Sequence, residues 1–404
     1  VNKVPKLRFK EFSGEWEFEK IGNITKKVGS GKTPKGGNTV YTDSGVIFLR
    51  SQNILNGILA LNDVAYITED ENSKMKSTQV YGNDILLNIT GASIGRSCIV
   101  PKIFPKANVN QHVCIIRLKE NYNSYFIMNQ ILSYKVQKQI DSYQAGGNRE
   151  GLNFQQIKQM NVAVTVYEEQ QKIANFFSLI DKKIENQQEK VEALKDYKKG
   201  MMQKIFSQAI RFKGDNGEEY PEWEEKKAEK LFESISDKKH NGELEVLSAT
   251  QDRGVIPRSE LNIDIKYEES SLSSYKRVRK NNFIISLRSF QGGIETSKYD
   301  GLVSPAYTVF NFKENEKQNH DFFSLIFKSR NFINRLNTLI YGIRDGKAIS
   351  FKDFAGVKLQ YPCIEEQEKI ALFFLVIYKK LEKEQEKLDS LNEWKKGLLQ
   401  QMFV

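Results

Sequence analysis

Cysteine is scarce in this sequence. Its three residues, Cys98, Cys114 and Cys363, stand far apart with no Cys-x-x-Cys pair, which argues against a disulfide framework and a structural zinc and for a reducing, cytoplasmic compartment. The three histidines, His112, His240 and His320, are too scattered to cage a metal, and His112, alone within Val-Asn-Gln-His-Val, reads as a strand or loop residue rather than a catalyst. Long apolar runs are missing too. The longest, Ala371 to Tyr378, falls far short of the ~20 residues that span a bilayer, and the opening VNKVPKLRFKEF lacks a signal-peptide core. A soluble chain with no membrane contact is expected. None of the eight prolines sits in the Asn/Asp-Pro-Pro-aromatic signature of amino methyltransferases. The segment GSGKT, Gly29 to Thr33, has Lys26 where a phosphate loop needs its first glycine. It reads instead as a surface loop offering Lys32 and Thr33 to a phosphate. No constellation for chemistry emerges, and an enzyme is the least favoured class.

What the sequence does have is positive charge. The net charge is +10, which favours an acidic polymer as partner over a small neutral substrate. Up to Tyr167 there are 21 lysines and arginines against 13 aspartates and glutamates. The helical stretch that follows is near neutral, so the excess lies mainly off it.

That stretch, Glu168 to Phe206, EEQQKIANFFSLIDKKIENQQEKVEALKDYKKGMMQKIF, returns as Glu365 to Phe403, EEQEKIALFFLVIYKKLEKEQEKLDSLNEWKKGLLQQMF. About half the aligned positions are identical without a gap, which marks an internal duplication. In the first copy Ile173, Phe177, Ile180, Ile184, Val191, Leu194, Met201 and Ile205 form one seam of three-then-four spacing along an α-helix. The second copy repeats it as Ile370, Phe374, Ile377, Leu381, Leu388, Leu391, Leu398 and Met402. Polar residues interrupt both seams at the same steps, Gln187 and Lys198 in one, Glu384 and Lys395 in the other. Two matched helices in one chain most simply pair with each other. Each would be roughly 55 to 60 Å long, a ruler that holds apart whatever precedes it. Phe176, Phe177, Phe373 and Phe374 read as core. The repeated Lys-Lys-Gly places Gly200 and Gly397 inside helical patterns, where glycine costs about 1 kcal/mol relative to alanine. Either two backbones approach closely there, between the helices or with another protein, or the helices end early.

The remainder reads as two globular units of α+β class. In the first, Val46 to Leu49, Ile85 to Ile89, Cys98 to Val100 and Val113 to Leu118 carry strand signals, and Tyr125 to Ile140 a helical one. After the first long helix the chain restarts: IRFKGDNGEEYPEWEEKKAEKLF (Ile210 to Phe232) echoes LRFKEFSGEWEFEKIGNI (Leu7 to Ile24). Further echoes follow in order. Phe48 to Leu59 matches Val246 to Ile256, Gly82 to Arg96 matches Lys280 to Ile294, Val109 to Lys119 matches Val303 to Lys313, and Gly147 to Phe154 matches Gly342 to Phe351. The units share a scaffold but differ at its polar loops, where Gln52 and Asn53 stand against Thr250 and Gln251, and Thr90 against Arg288. Amides, hydroxyls and arginines are the groups that read base edges in a groove.

These residues resemble a known family. The two EEQxKIAxFF helix starts, the two Lys-Lys-Gly segments, the paired Arg-Phe-Lys…Trp unit starts and ILLNITGASIGR make the chain similar, over nearly its whole length, to the specificity (S) subunits of type I restriction-modification systems. The resemblance implies two tandem target-recognition domains, residues 1–167 and 209–364, separated by helices 168–208 and 365–404 that pair as an antiparallel coiled coil with a pseudo-two-fold repeat. The first helix departs from the family in its entry, Val164-Thr165-Val166-Tyr167, where a proline-rich segment is expected and the second keeps Tyr361-Pro362. The resemblance further implies a non-catalytic subunit that reads an asymmetric, two-part site in double-stranded DNA, one half per domain. The half-sites would lie near one helical turn apart, about 34 Å centre to centre. Its helices would dock two methyltransferase (M) subunits, and restriction/translocase (R) subunits would join through them. S-adenosylmethionine, ATP and Mg would belong to those partners, with no cofactor and no metal in this chain. The candidate DNA contacts are Lys32, Arg50, Gln52, Asn53, Thr90, Ser93, Arg96, Asn110, Gln111 and Arg149 in the first unit. In the second they are Thr250, Gln251, Arg253, Arg288, Gln291, Tyr307 and Arg344. Two other classes fit the pattern less fully, a stand-alone bipartite DNA-binding regulator and a coiled-coil tether between proteins.

Overall fold

A computed structural model describes residues 3–36, 40–144, 151–250, 253–261, 269–286, 289, 293–314, 317–340 and 349–404. The chain divides into two compact units, Val1–Glu189 with Glu384–Val404, and Lys190–Lys383.

The first unit is built on two four-stranded sheets. One has the order β2 (Thr25–Ser30), β9 (Val113–Leu118), β6 (Ile85–Asn88), β7 (Ser97–Ile99), all antiparallel. The other runs β4 (Ala65–Ile67), β3 (Val46–Leu49), β8 (Ala107–Val109), β5 (Gln79–Val80), with β3 and β8 parallel. A separate ribbon pairs β1 (Glu17–Lys20) with β10 (Asn161–Val164). The central strands β6 and β9 are apolar on both faces because both faces are covered. Ile85, Leu87, Cys114 and Ile116 face a core shared with helices, whereas Leu86, Val113 and Ile115 face a core shared with the second sheet. Continuous burial explains why these segments show no polar alternation.

The helical pattern from Tyr125 to Ile140 is two helices rather than one. The first, Ser124–Leu132, stops at Ser133, whose backbone is extended (φ −68°, ψ 152°), and the second spans Tyr134–Gln144. Ser133 Oγ donates to the Gln130 carbonyl at 2.7 Å, and its own carbonyl accepts from Gln137 N–H at 3.0 Å. A short hydroxyl that competes for backbone partners favours such a break over helix continuation.

The second unit repeats the topology. The sheet β12 (Phe232–Ile235), β19 (Thr308–Phe312), β16 (Phe283–Ile285), β17 (Glu295–Thr296) has the order and antiparallel sense of its counterpart. The ribbon β11 (Glu224–Lys227) with β20 (Lys358–Tyr361) matches the first ribbon. The second sheet is represented by the pairs β13 (Leu247–Thr250) with β14 (Gly254–Pro257), and β15 (Lys276–Val278) with β18 (Gly301–Val303). The helix break recurs as well, at Ser329 between His320–Lys328 and Arg330–Ile340. Its core is rich in phenylalanine. Phe232 stacks on Phe312 with ring centroids 4.6 Å apart and meets Phe283, Phe310, Phe323 and Phe327 at angled contacts.

The two long helices, central (Tyr167–Phe206) and terminal (Ile364–Met402), pair antiparallel. In the first unit Phe177 stacks on Phe403 at 5.7 Å and Asp181 meets Lys395 at 2.6 Å; in the second Ile205 shares a core with Ile370, Phe374 and Ile377. All sixteen seam residues are buried or half-buried. The polar interruptions find partners in the pair. Gln187 Nε2 donates to the carbonyl and the carboxylate of Glu384, both at 2.8 Å, and Lys198 lies 4.6 Å over the Tyr378 ring. The Lys-Lys-Gly segments are not helix ends, since the helices run on to Phe206 and Met402. Nor do backbones of this chain approach there, for a Cβ at Gly200 or Gly397 would meet nothing within 4 Å among the described residues. The central helix stops where Gln208 turns to φ 59° and its N–H returns to the Ile205 carbonyl at 2.9 Å.

A repeated clasp ties each unit's start to its helix. Arg8 grips the fully buried Glu169 carboxylate at 2.7 and 2.8 Å while Phe9 packs edge-on against Phe176. Arg211 grips Glu366 at 2.8 and 3.4 Å while Phe212 packs against Phe373. The next residue of each motif closes a second joint. Gln170 Oε1 accepts from the Asn123 N–H and Gln367 Oε1 from the Asn319 N–H, at 2.9 and 3.0 Å. Trp16 lies among Phe126 and Phe403, and Trp223 among Phe322 and Phe206. The duplicated motifs are therefore the scaffold's joints.

Candidate nucleic-acid interface

In the first unit four loops distant in sequence meet at one end of the sheets. Ser30 pairs with Cys114 and Asn88 with Val113, so β2 and β6 finish where β9 begins, and Leu49 pairs in parallel with Val109 beside them. Loop-to-loop hydrogen bonds close the group. Asn110 N–H donates to the Leu49 carbonyl at 3.0 Å, Ile89 N–H to the His112 carbonyl at 3.0 Å, and the Asn88 amide to the Ser51 carbonyl at 2.9 Å. Gly31 lies so close to this turn that a Cβ would sit 1.7 Å from the Val109 oxygen, and only glycine fits.

The candidates divide by exposure. Lys32, Gln52, Arg96 and Gln111 are exposed at this end, and Arg50, Thr90 and Ser93 are half-buried. Asn53 and Asn110 are buried and face inward. The Asn53 amide donates to the carbonyls of Ala60 and Asp63 and accepts from Arg50 N–H, and Asn110 Oδ1 accepts from His112 N–H. The Asn53 amide is thus taken up by its own loop on both sides, while Asn110 closes its turn through Oδ1. Arg149 lies outside the described residues.

In the second unit the corresponding end holds fewer described candidates. Thr250 closes the β13–β14 hairpin, its Oγ1 donating to the Gly254 carbonyl at 2.9 Å and accepting from Arg253 N–H at 3.1 Å. Arg253 pairs with Glu260 at 3.2 Å. Tyr307 is half-buried against the β13–β18 core, and its carbonyl accepts from Lys276 Nζ at 2.6 Å. Burial pushes the Lys276 ammonium below the ordinary lysine value, and repulsion from Lys238 adds to the effect. Gln251, Arg288, Gln291 and Arg344 lie outside the described residues.

Among the described residues no three His, Cys, Asp or Glu side chains gather to hold a metal. Burial pushes the Cys98 and Cys114 thiols up, Cys114 to about 12, away from nucleophilic use. No described helix is long and apolar enough to cross a membrane.

The profile of the type I restriction modification DNA specificity domain matches this chain twice, over residues 13–196 and 221–393. The chain belongs to that family. It is similar to a protein of Methanocaldococcus jannaschii provisionally named the type I restriction enzyme MjaX specificity subunit, with 24% identity across 94% of this chain and 92% of that one. Its fold is similar to the crystal structure of a type I restriction-modification S subunit from M. genitalium, with 16% identity, 99% of each chain covered and a TM-score of 0.59. It is also similar to a chain from a structural study of assembly and conformational transition of the type I restriction-modification system, with 14% identity, 97% and 98% covered and a TM-score of 0.56.

Within this specificity-subunit fold, two residues passed over in the sequence complete the loop cluster. Asp63 receives the Gln52 amide at 2.6 Å and stands 3.6 Å from Arg50. His112 places its ring 2.6 Å from Thr90 Oγ1. Nothing in the linear spacing joins Asp63 to Gln52, but His112 sits beside two named candidates, Asn110 and Gln111, and could have been found there.

Proposed function

We propose that this specificity subunit reads an asymmetric, two-part DNA site, each unit taking one half, and that it docks M subunits on its paired helices. The observation that carries the reading is one topology built twice, with unlike polar side chains at the same loop ends. Arg50, Gln52, Thr90, Ser93, Arg96 and Gln111 crown one unit, and Thr250, Arg253 and Tyr307 the other. Hydroxyls, amides and guanidinia discriminate base edges, while lysines such as Lys32 supply attraction to phosphate that is blind to sequence. Two copies of the helix surface suit two M subunits. Methyl transfer to adenine with S-adenosylmethionine would belong to those partners, and ATP- and Mg-dependent translocation and cleavage to R subunits, leaving this chain non-catalytic.

Mapping methylated adenines across the genome with and without this gene tests the reading. Loss of a two-part motif on deletion is expected, and an unchanged methylome overturns it. The stand-alone regulator differs in requiring tight, specific binding by the isolated chain.

A further inference from the structure

We propose that His112 is a positioning residue that sets which base the first unit accepts, by fixing the proton of the Thr90 hydroxyl. The proposal rests on the reading of these loops as the DNA-facing end.

His112 joins its own turn to the loop that follows β6. Its N–H donates to Asn110 Oδ1 at 3.1 Å, its carbonyl accepts from Ile89 N–H at 3.0 Å, and its ring lies between Thr90 and Gln111. Gln111 Nε2 stands 3.4 Å from the ring Nε2, and an amide nitrogen only donates, so the ring nitrogen facing it accepts. In the neutral ring the proton then sits on Nδ1, 2.6 Å from Thr90 Oγ1. The imidazole donates to the hydroxyl oxygen, and the Thr90 proton stays available to point outward. With the other tautomer the hydroxyl would donate inward and present only lone pairs. A hydroxyl that keeps its proton favours acceptor edges, the N7 and O6 of guanine or the O4 of thymine, over the amino group of cytosine.

The second unit shows that the scaffold does not need this ring. Its matching turn reads Ser304-Pro305-Ala306, with Ala306 at the position of His112. The turn is nevertheless closed the same way, Ser304 Oγ accepting from Ala306 N–H at 3.3 Å as Asn110 Oδ1 accepts from His112 N–H. The main-chain joint is common to both units, and the imidazole with its grip on a threonine is an addition in one. Half-burial keeps the ring within reach of solvent at the loop end.

The experiment uses the full chain assembled with its methyltransferase partner, and measures binding to and methylation of DNA libraries randomised in each half-site separately. His112→Ala is expected to lower discrimination at one position of one half-site by on the order of tenfold, leaving the other half-site and the salt dependence of affinity unchanged. Thr90→Val should relax the same position. His112→Asn, whose amide can donate to Thr90 in place of Nδ1, should keep the wild-type preference and show that the fold survives replacement. An unchanged motif in His112→Ala, or an equal loss on every sequence tested, overturns the role of His112 alone. A wild-type complex with no two-part preference overturns the DNA-reading proposal beneath it.

Discussion

Removing the Arg8 guanidinium would leave the Glu169 carboxylate buried without its bidentate partner. Breaking a buried ion pair from one side costs about 3–5 kcal/mol, so Arg8→Ala should lower the denaturant midpoint sharply, and Arg211→Ala likewise through Glu366. A change within experimental error for either variant would show that the clasp is ornamental. A second residue carries a pH dependence. Burial holds His320 below the ordinary imidazole value, with the Asp321 carboxylate opposing. The ring stacks on Phe283 and hydrogen-bonds Asn311 Oδ1 at 2.8 Å. An unfolded histidine takes up its proton near pH 6.5, and the folded one only at lower pH. As pH falls through that window the unfolded state binds more protons, and stability falls with it. Urea titrations from pH 7.5 downward should show this loss in the wild type. His320→Gln, subtracted from it, should remove that component.

Among whole elements, the long helices carry two kinds of signal. Seam periodicity states where each helix buries itself, and the polar interruptions state the register, because Gln187 answers Glu384 and Asp181 answers Lys395 only in one antiparallel alignment. The glycines of Lys-Lys-Gly are unexplained by contacts among the described residues. Gly200→Ala and Gly397→Ala should each stabilise the chain by about 1 kcal/mol, read as a rise in unfolding midpoint. If the glycines are reserved for close approach of an M subunit, the same variants should weaken assembly on titration with that partner. Unaltered assembly would leave them without a function. The break at Ser133 shows the limit of periodicity. Apolar spacing from Phe126 to Ile140 runs through it undisturbed, while one serine's local hydrogen bonds divide the helix.

For the molecule as a whole, charge and duplication act together. A net charge of +10 with lysines beside polar loops predicts DNA affinity that falls steeply with salt. With roughly 6–10 phosphates neutralised, affinity should drop about 10³- to 10⁵-fold between 50 and 200 mM salt. Fluorescence anisotropy on specific and scrambled duplexes measures both slopes. A salt-independent affinity for both duplexes would favour the protein tether instead. The ratio between the two duplexes belongs to the polar side chains, so it should survive where absolute affinity does not.

What the sequence alone determined is what is written locally or twice. The strand at Val46–Leu49, the runs at Ile85 and Val113, the two helices, their seams and the paired unit starts were all legible, because burial on one or two faces leaves a short-range period. Duplication supplied the rest of the organisation, each copy checking the other. Only tertiary structure decided which polar loops share a surface, since Arg50, Thr90 and His112 are brought together by strand pairings that skip across the chain. It also turned Asn53 inward beside an outward Gln52, and showed the Glu and Gln that open each helix motif to be buried joints. Adjacent residues of like chemistry carry no record of the side to which the backbone will turn them, and a hydrogen bond across 161 positions, as from Arg8 to Glu169, leaves no mark in any window of sequence.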